Sequence, residues 1–225
     1  MSKVETAYCV YEQNIESIEF REEPCEVHIT ADINSDTVSE FETNFRQAIA
    51  SGQPEIPVVI HSPGGCVYSA MKIVDIILSS PVPVTTCVRG MAMSAAVLIF
   101  SCGTRRVMSP HAGLMIHTVR SEMGEMTVSE MEIDLKETTR LNTLINQIMA
   151  KNCGLPLSYF KEVRDKNIDK HLSATQAKRD GICTDIGDVR LKTHIRCETT
   201  LDVVPPQKKK RAVSAARGKK RKGRG

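Results

Sequence analysis

The chain has 225 residues, of which 41% are apolar and 25% charged, and its formal net charge is +3. These values are ordinary for a soluble globular protein, and the length allows one domain with a sizeable core. No apolar run approaches the roughly 18 residues of a membrane span, and no basic region followed by an apolar stretch opens the chain. The sequence therefore predicts neither a membrane-embedded nor a secreted protein.

The eight cysteines stand singly, with no Cys-x-x-Cys pair. A disulfide framework or a zinc site is therefore not expected, and no bound metal is predicted. Reduced thiols are typical of the cytoplasm, which is the expected location.

Strand and helix signals alternate through the first half of the chain. Residues 56–61 are β-branched and apolar, as expected of a strand that is buried on both faces. Repeated strand–helix units on this scale need crossover connections, so we expect a largely parallel α/β core. The predicted strands are residues 26–30, 56–61, 82–88 and 113–117, and the predicted helices are residues 37–50, 70–78 and 94–101.

The second half is more helical. Thr127 and Glu130 fit a capping box, in which each side chain satisfies a backbone amide of the helix start. A helical stripe of apolar residues follows for about six turns, which predicts a long helix over about residues 127–151. A second box, Ser173 with Gln176, predicts a short helix that ends near Gly181.

Three polar residues and a glycine turn together fit a serine acyl-transfer site. Ser94 stands between a strand and a helix, His117 ends an apolar strand, and Asp169 lies downstream. A hydroxyl nucleophile, an imidazole base and an orienting carboxylate are the side chains that such chemistry needs. Gly64 and Gly65 follow a buried strand, where glycine lets the backbone approach a ligand closely.

Each of these residues also has a structural interpretation. Ser94 fits an ordinary helix cap or a small core residue, His117 a histidine at a strand end, and the glycines a plain tight turn. Cys66 is a competing nucleophile, but no basic residue lies close in sequence to lower its pKa. Asp169 fits a cap or a solvent-facing acid, and the equal candidates on composition are Asp165, Asp180 and Asp185.

The C-terminal residues 201–225 form a tail that we expect to be disordered. Residues 208–224 contain ten Lys and Arg and no acid, and removing these ten from the net charge leaves −7 for the remainder. Contact with nucleic acid or another polyanion, a signal like those for nuclear import, and a solubilising terminus all fit this charge. The residues expected to contact a polyanion are Lys208, Lys209, Lys210, Arg211, Lys219, Lys220, Arg221 and Lys222.

Four motifs in one order resemble the proteolytic subunit of the Clp protease. They are Ser-Pro-Gly-Gly-Cys-Val, Arg-Gly-Met-Ala-Met-Ser-Ala-Ala, Leu-Met-Ile-His and Asp-Lys-His-Leu-Ser-Ala-x-x-Ala, and the likeness runs over residues 26–191. The resemblance implies a crotonase-like α/β head of repeated ββα units, with a protruding handle helix at about residues 127–151. It also implies Ser94 as nucleophile, His117 as base and Asp169 as orienting acid. Finally, it implies the backbone amides of Gly65 and Ala95 as oxyanion donors.

The resemblance further implies an assembly and its partners. Two stacked rings, conventionally heptameric, would enclose a chamber that cleaves unfolded polypeptides to short peptides. An AAA+ unfoldase would feed them, so ATP would enter only through that separate partner and the cleavage itself needs no cofactor. The domain limits that follow are an atypical N-terminal segment at 1–25, a peptidase domain at 26–200 and the tail at 201–225.

Three departures from the family pattern keep alternatives open. The N-terminal segment lacks the usual axial-loop sequence, the segment after His117 begins Thr-Val-Arg rather than Gln-Pro, and the basic tail is foreign to the pattern. These features suit a phage, viral or organellar member. The alternatives are a dedicated processing protease that works without an ATPase, a non-catalytic ring subunit, and a crotonase-type acyl-CoA enzyme.

Overall fold

The computed structural model describes residues 23–121 and 124–191, and it forms a mixed α/β body. Six helices surround a sheet of seven strands. The strands are β1 (Val27–Ile29), β2 (Ile56–Ser62), β3 (Val84–Met93), β4 (Arg105–Met108), β5 (Gly113–Ile116), β6 (Lys170–Ser173) and β7 (Asp185–Ile186). The helices are α1 (Ser35–Ala50), α2 (Val67–Leu78), α3 (Ala95–Ser101), α4 (Val128–Cys153), α5 (Leu157–Asp165) and α6 (Ala174–Asp180).

The sheet forks along β3. Strands β1, β2, β3, β4 and β7 are neighbours in that order and all pair in parallel. The first half of β3 pairs with β4, whereas its last residues, Met91 to Met93, pair with β5. Strand β5 in turn pairs with β6, and this pair is antiparallel. The fork therefore brings the ends of β3 and β5 side by side.

The helices bury their apolar faces against this sheet. Asn34 caps α1 by accepting hydrogen bonds from the amides of Asp36 and Thr37, and the next apolar positions turn inward to the core. Phe41 and Phe45 stack there with ring centroids 5.4 Å apart. Helix α3 is buried along its whole length, so it runs through the core rather than over it. Each large apolar side chain buried in this way stabilises the fold by about 1.5–3 kcal/mol.

Helix α4 is the predicted long helix, and most of it lies outside the core. The capping box of Thr127 and Glu130 is present, and Gly154 ends the helix in the left-handed conformation. Its buried residues all fall in its second half, which packs on α3 and α5. The large apolar side chains of its first half remain exposed: Val128, Met131, Ile133 and Leu135.

The structure contains the predicted helices and strands and four further elements. The predicted α/β core is confirmed, with β1, β2, β5, α1, α2 and α3 within a few residues of their predicted limits. The predicted strand at 82–88 is too short, because β3 continues past Gly90 to Met93. Strands β4, β6 and β7 and helix α5 were not predicted. The predicted N-terminal segment at 1–25 lies largely outside the described residues, and the predicted tail at 201–225 lies wholly outside them.

In residues 23–121 and 124–191, no helix combines the length and apolar character that crossing a bilayer requires. Within these same ranges, no group of three or more His, Cys, Asp or Glu side chains is arranged to hold a metal ion.

Candidate active site

Ser94 stands at the junction between β3 and α3 in a strained conformation. Its φ is 55° and its ψ is −126°, whereas only one other described non-glycine residue, Asn167, has a positive φ. Such a conformation costs about 1–3 kcal/mol and is concentrated at functional sites. The Ser94 side chain makes no hydrogen bond to the first turn of α3, so it does not act as a helix cap. The strand-to-helix turn instead presents a hydroxyl that the local backbone does not use.

The turn after β2 packs directly against Ser94. Gly64 has φ 103°, and a Cβ atom there would lie 2.7 Å from the Ser94 Cβ and 3.1 Å from the Ala95 nitrogen. Gly65 has φ 147° and forms a parallel bridge with Ile33. In that bridge Ile33 donates to the Gly64 oxygen and accepts from the Cys66 amide, so the N–H of Gly65 is directed away from Ile33.

Two backbone amides close in sequence to these contacts are the predicted oxyanion donors. One is that of Gly65, and the other is that of Ala95, the first residue of α3, whose amide has no partner within the helix. Amides at such positions favour a developing negative charge. The amides of Gly65, next to Gly64, and of Ala95, next to Ser94, stay the predicted oxyanion donors.

His117 follows the last residue of β5. The Ser94 amide donates to the Met115 oxygen at 2.8 Å, which fixes the end of β3 against the strand that leads to His117. The imidazole is half-buried, and its Nδ1 is a buried atom without a hydrogen-bond partner in the described part of the chain. An unmade hydrogen bond of this kind costs about 1–3 kcal/mol.

Burial lowers the pKa of His117 below its usual value. The positive charge of Arg120 lowers this pKa further, whereas the negative charge of Asp169 and the backbone of Thr118 act in the opposite direction. The imidazole is accordingly neutral near pH 7. A neutral imidazole is the form that accepts a proton from a hydroxyl.

Asp169 lies opposite His117 but is paired with another residue. The antiparallel register matches Ile116 with Lys170, so its continuation by one residue sets Asp169 across from His117. Both carboxylate oxygens nevertheless accept hydrogen bonds from the Arg120 Nη2, each at 2.9 Å. The expected hydrogen bond from His117 to Asp169 is not formed among the described contacts. The ion pair is exposed to solvent, and pairs of that kind contribute only about 0.2–1 kcal/mol.

Arg120 is a residue at this site that the sequence analysis missed. It stands three residues after His117, in the segment noted only for departing from the Gln-Pro pattern. The only local indication of a role for Arg120 is that it lies close in sequence to His117, the candidate base. This indication is weak because exposed arginines are common. Its contact with Asp169 spans 49 residues of sequence, so no short motif could reveal it.

The structure also gives the surroundings of the competing candidates. Cys66 is exposed at the start of α2, and contrary to expectation its pKa is lowered, by hydrogen bonds from the backbone and side chain of Ser69. The three alternative acids each have a partner other than His117: Asp165 pairs with Arg164, Asp180 accepts from Tyr159, and Asp185 pairs with Arg105.

The comparisons with known proteins agree with the sequence motifs. The family model described as Clp protease matches residues 23–190. The chain is 32% identical over 138 residues to ATP-dependent Clp protease proteolytic subunit 1 of Rhodococcus jostii (strain RHA1), a match covering 60% of this chain and 62% of that relative. It is 34% identical over 129 residues to ATP-dependent Clp protease proteolytic subunit 2 of Prochlorococcus marinus (strain MIT 9312), covering 56% and 63%. The matches thus span less than two thirds of either relative. Because the family model matches most of its length, the chain belongs to the Clp protease family.

Proposed function

We propose that this protein is a serine endopeptidase that cleaves unfolded polypeptides to short peptides through an acyl-enzyme at Ser94. The observation that carries the proposal is the strained turn at Ser94, packed against Gly64 and held by its amide to the strand that ends at His117. Membership of the Clp protease family supports the same activity.

The proposed reaction uses two side chains and two backbone amides. His117 takes the proton from the Ser94 hydroxyl as its oxygen attacks the peptide carbonyl carbon. The amides of Gly65 and Ala95 donate hydrogen bonds to the oxyanion, and losing one such donor typically costs about 100- to 1000-fold in rate. His117 then protonates the leaving amine, and a water molecule that it activates hydrolyses the acyl-enzyme.

Asp169 is the proposed orienting acid. In this role it accepts a hydrogen bond from the Nδ1 of His117 and stabilises the imidazolium that forms during attack. The carboxylate must therefore turn from Arg120 toward the unpartnered Nδ1. The scheme needs neither a metal nor an organic cofactor.

The exposed first half of α4 supports assembly into rings. Burying a large apolar side chain contributes about 1.5–3 kcal/mol, and the exposed fractions of Ile133 and Leu135 are 66% and 67%. We propose that α4 packs against a second copy of the chain, as the handle helix does in two stacked, conventionally heptameric rings. An AAA+ unfoldase would supply the substrates and would alone consume ATP.

We also propose a cellular location and a role for the tail. The thiols of Cys66, Cys87, Cys102, Cys153 and Cys183 are free, which fits a reducing compartment such as the cytoplasm. We propose that the basic tail, which lies outside the described residues, attaches the particle to a polyanion such as nucleic acid. Deleting residues 208–225 should weaken nucleic-acid binding at low salt, and unchanged binding would exclude this role.

Labelling with a fluorophosphonate probe tests the proposed chemistry. The purified full-length protein is treated with the probe, and peptide mass spectrometry locates the adduct. We expect an adduct at Ser94 that is absent in Ser94→Ala and at least 100-fold slower in His117→Ala. An assembled protein in which Ser94 never reacts would be a ring subunit without catalytic activity. Cleavage of an unfolded protein in the presence and absence of an unfoldase then tests the dependence on a partner.

A further inference from the structure

Arg120 forms an ion pair with Asp169, whose carboxylate accepts a hydrogen bond from His117 in the proposed mechanism. A single nitrogen, Nη2, donates to both oxygens of Asp169 at 2.9 Å. Opposite this pair, the buried Nδ1 of His117 has no hydrogen-bond partner among the described residues. The Nδ1 of His117 therefore lacks a partner, while Asp169, its expected partner, is paired with Arg120.

The position of Arg120 is fixed by contacts of its own segment with α4. The Val119 amide donates to the Asn142 Oδ1 at 2.8 Å, and Asn142 in turn donates to the Thr138 oxygen. On the other side of Arg120, the Ser121 hydroxyl donates to the Asp134 Oδ1 at 3.0 Å. Hydrogen bonds to α4 are therefore made by the residues on both sides of Arg120. The ion pair between Arg120 and Asp169 depends on this attachment of the segment to α4.

We propose that Arg120 is a positioning residue that withholds Asp169 from His117, and that the site becomes aligned when Asp169 exchanges Arg120 for the Nδ1 of His117. The proposal rests on the proposed function, because it deepens the role assigned there to Asp169. The exchange is local: the pair is exposed to solvent, with side-chain exposures of 65% for Arg120 and 44% for Asp169. The register of β5 and β6 ends at Ile116 with Lys170, so His117 and Asp169 are the residues that follow on the two neighbouring chains, and we infer that a rotation of the carboxylate brings it to the imidazole.

The charges around His117 make the exchange measurable. Arg120 on its own segment and Asp169 just before β6 are the charged groups that act on the imidazole, and the residue that follows β3 is the uncharged Ser94. Removing the cation and freeing the carboxylate both stabilise the imidazolium. The pKa of His117 should then rise above the ordinary histidine value of about 6.5.

The experiment measures His117 directly and Ser94 separately. Hydrogen–deuterium exchange at the imidazole C2 position, read by peptide mass spectrometry against pH, gives the titration midpoint of His117 whether or not the protein is active. The variants are Arg120→Gln, Arg120→Lys and the double variant Arg120→Gln with Asp169→Asn. Arg46→Gln is the matched control, since Arg46 pairs with Glu42 on α1. Fluorophosphonate labelling of Ser94 is timed in each protein.

We expect Arg120→Gln to move the His117 midpoint above 6.5 and to accelerate labelling of Ser94 about 3- to 10-fold. Adding Asp169→Asn should abolish the rise, Arg120→Lys should fall between the wild type and Arg120→Gln, and Arg46→Gln should match the wild type. If Arg120→Gln only loosened the packing around His117, the titration midpoint of His117 would rise no higher than about 6.5. The rise would then not depend on Asp169. An unchanged midpoint in Arg120→Gln, or a rise that survives in the double variant, would overturn the proposal.

The two readouts separate this proposal from the proposed function. If the midpoint shifts as expected but Ser94 reacts in none of the variants, the exchange stands and the peptidase activity fails. If Ser94 reacts in the wild type while Arg120→Gln changes neither readout, the activity stands and the role of Arg120 fails.

Discussion

Gly64 lies against Ser94 so closely that a Cβ atom on the glycine would sit 2.7 Å from the Cβ of the serine. The same atom would also lie 2.7 Å from the Met93 backbone oxygen. Real side chains do not approach to such distances, and the φ of 103° at this position disfavours any residue with a Cβ. The contact therefore fixes the glycine turn and the strained serine relative to one another.

Gly64→Ala should consequently damage the site more than the fold. We expect at least a 10-fold loss in the rate of fluorophosphonate labelling at Ser94, because the turn that supplies the Gly65 amide must move. The accompanying loss of unfolding free energy should be about 1–3 kcal/mol. Gly187→Ala is the control, since a Cβ there meets nothing within 4 Å. Wild-type labelling in Gly64→Ala would show that the turn does not shape the site.

The site motifs could be predicted because each motif lies in one short segment with its own recognisable sequence pattern. A buried strand followed by paired glycines, a serine between a strand and a helix, and a histidine ending an apolar strand are all visible in short windows of sequence. The antiparallel pairing of β5 with β6, which sets Asp169 opposite His117, is not visible in this way. Residues Lys170 to Ser173 are mostly polar, with one buried side chain, so they show no strand pattern.

Two further misses have the same cause, which is that long-range packing overrides a local signal. Arg89 and Gly90 are typical of a strand end, but β3 continues through them; Gly90 has a φ of 91°, and a Cβ atom there would lie 2.5 Å from the Nδ1 of His61. Strand β4 begins with two arginines, a pattern that is typical of a polar loop. The second of these, Arg106, is in fact buried, since backbone carbonyls from distant segments surround its guanidinium.

The strain at Ser94 predicts that removing its Cβ stabilises the protein. Ser94→Gly relieves a conformation that costs about 1–3 kcal/mol, offset by about 0.5–1 kcal/mol for the greater freedom of glycine when unfolded. Ser94→Ala keeps the Cβ and the strain. Urea unfolding at one protein concentration should therefore find Ser94→Gly about 1 kcal/mol more stable than Ser94→Ala. Equal stability of these two inactive variants would mean that the strain is absent in solution.

The lowered pKa of His117 predicts the pH dependence of the activity. In the proposed mechanism only neutral His117 accepts the proton of Ser94, and kcat/KM reports the lowered pKa of this group in the free enzyme. Since burial and Arg120 hold this pKa below 6.5, kcat/KM on a peptide substrate should stay constant from pH 8 to about 6.5 and fall only below that. A midpoint above 6.5 would show that Asp169 already pairs with His117 in the free enzyme.

The lowered pKa of His117 also makes the folded protein less stable as the pH falls. Unfolding exposes His117 to water and returns its pKa to the ordinary value, so the unfolded chain binds a proton more readily than the folded one. The contribution is fully present above about pH 6.5 and is lost as the pH falls through the folded pKa. His117→Gln should therefore flatten the loss of stability over this interval, as judged by urea unfolding at a series of pH values.

The exposed apolar side chains of α4 predict how the assembly can be broken. Ile133→Glu combined with Leu135→Glu would place two carboxylates in the proposed interface between copies, where burying each charge without a partner costs several kcal/mol. We expect light scattering to show a smaller particle than the wild type. Ile49→Glu introduces the same charge at an exposed isoleucine of α1 and should leave the particle intact. A full-sized particle in the double variant would show that α4 does not mediate assembly.

Two adjacent arginines of β4 should contribute very unequally to stability. Arg106 is 8% exposed and donates hydrogen bonds to four backbone oxygens that follow or end α3, α4 and α6. Those oxygens belong to Gly103, Asn152, Gly181 and Ile182, with the shortest bond 2.7 Å long.

Arg106→Met should therefore cost on the order of 3 kcal/mol, because it leaves buried carbonyls at helix ends without a donor or a compensating positive charge. Arg105 is exposed and only reaches Asp185 at 3.5 Å, so Arg105→Met should cost less than about 1 kcal/mol. Urea unfolding of the two variants at one protein concentration measures the difference. Equal losses would mean that the carbonyls around Arg106 find water or another donor, and that the guanidinium does not tie the three helices together.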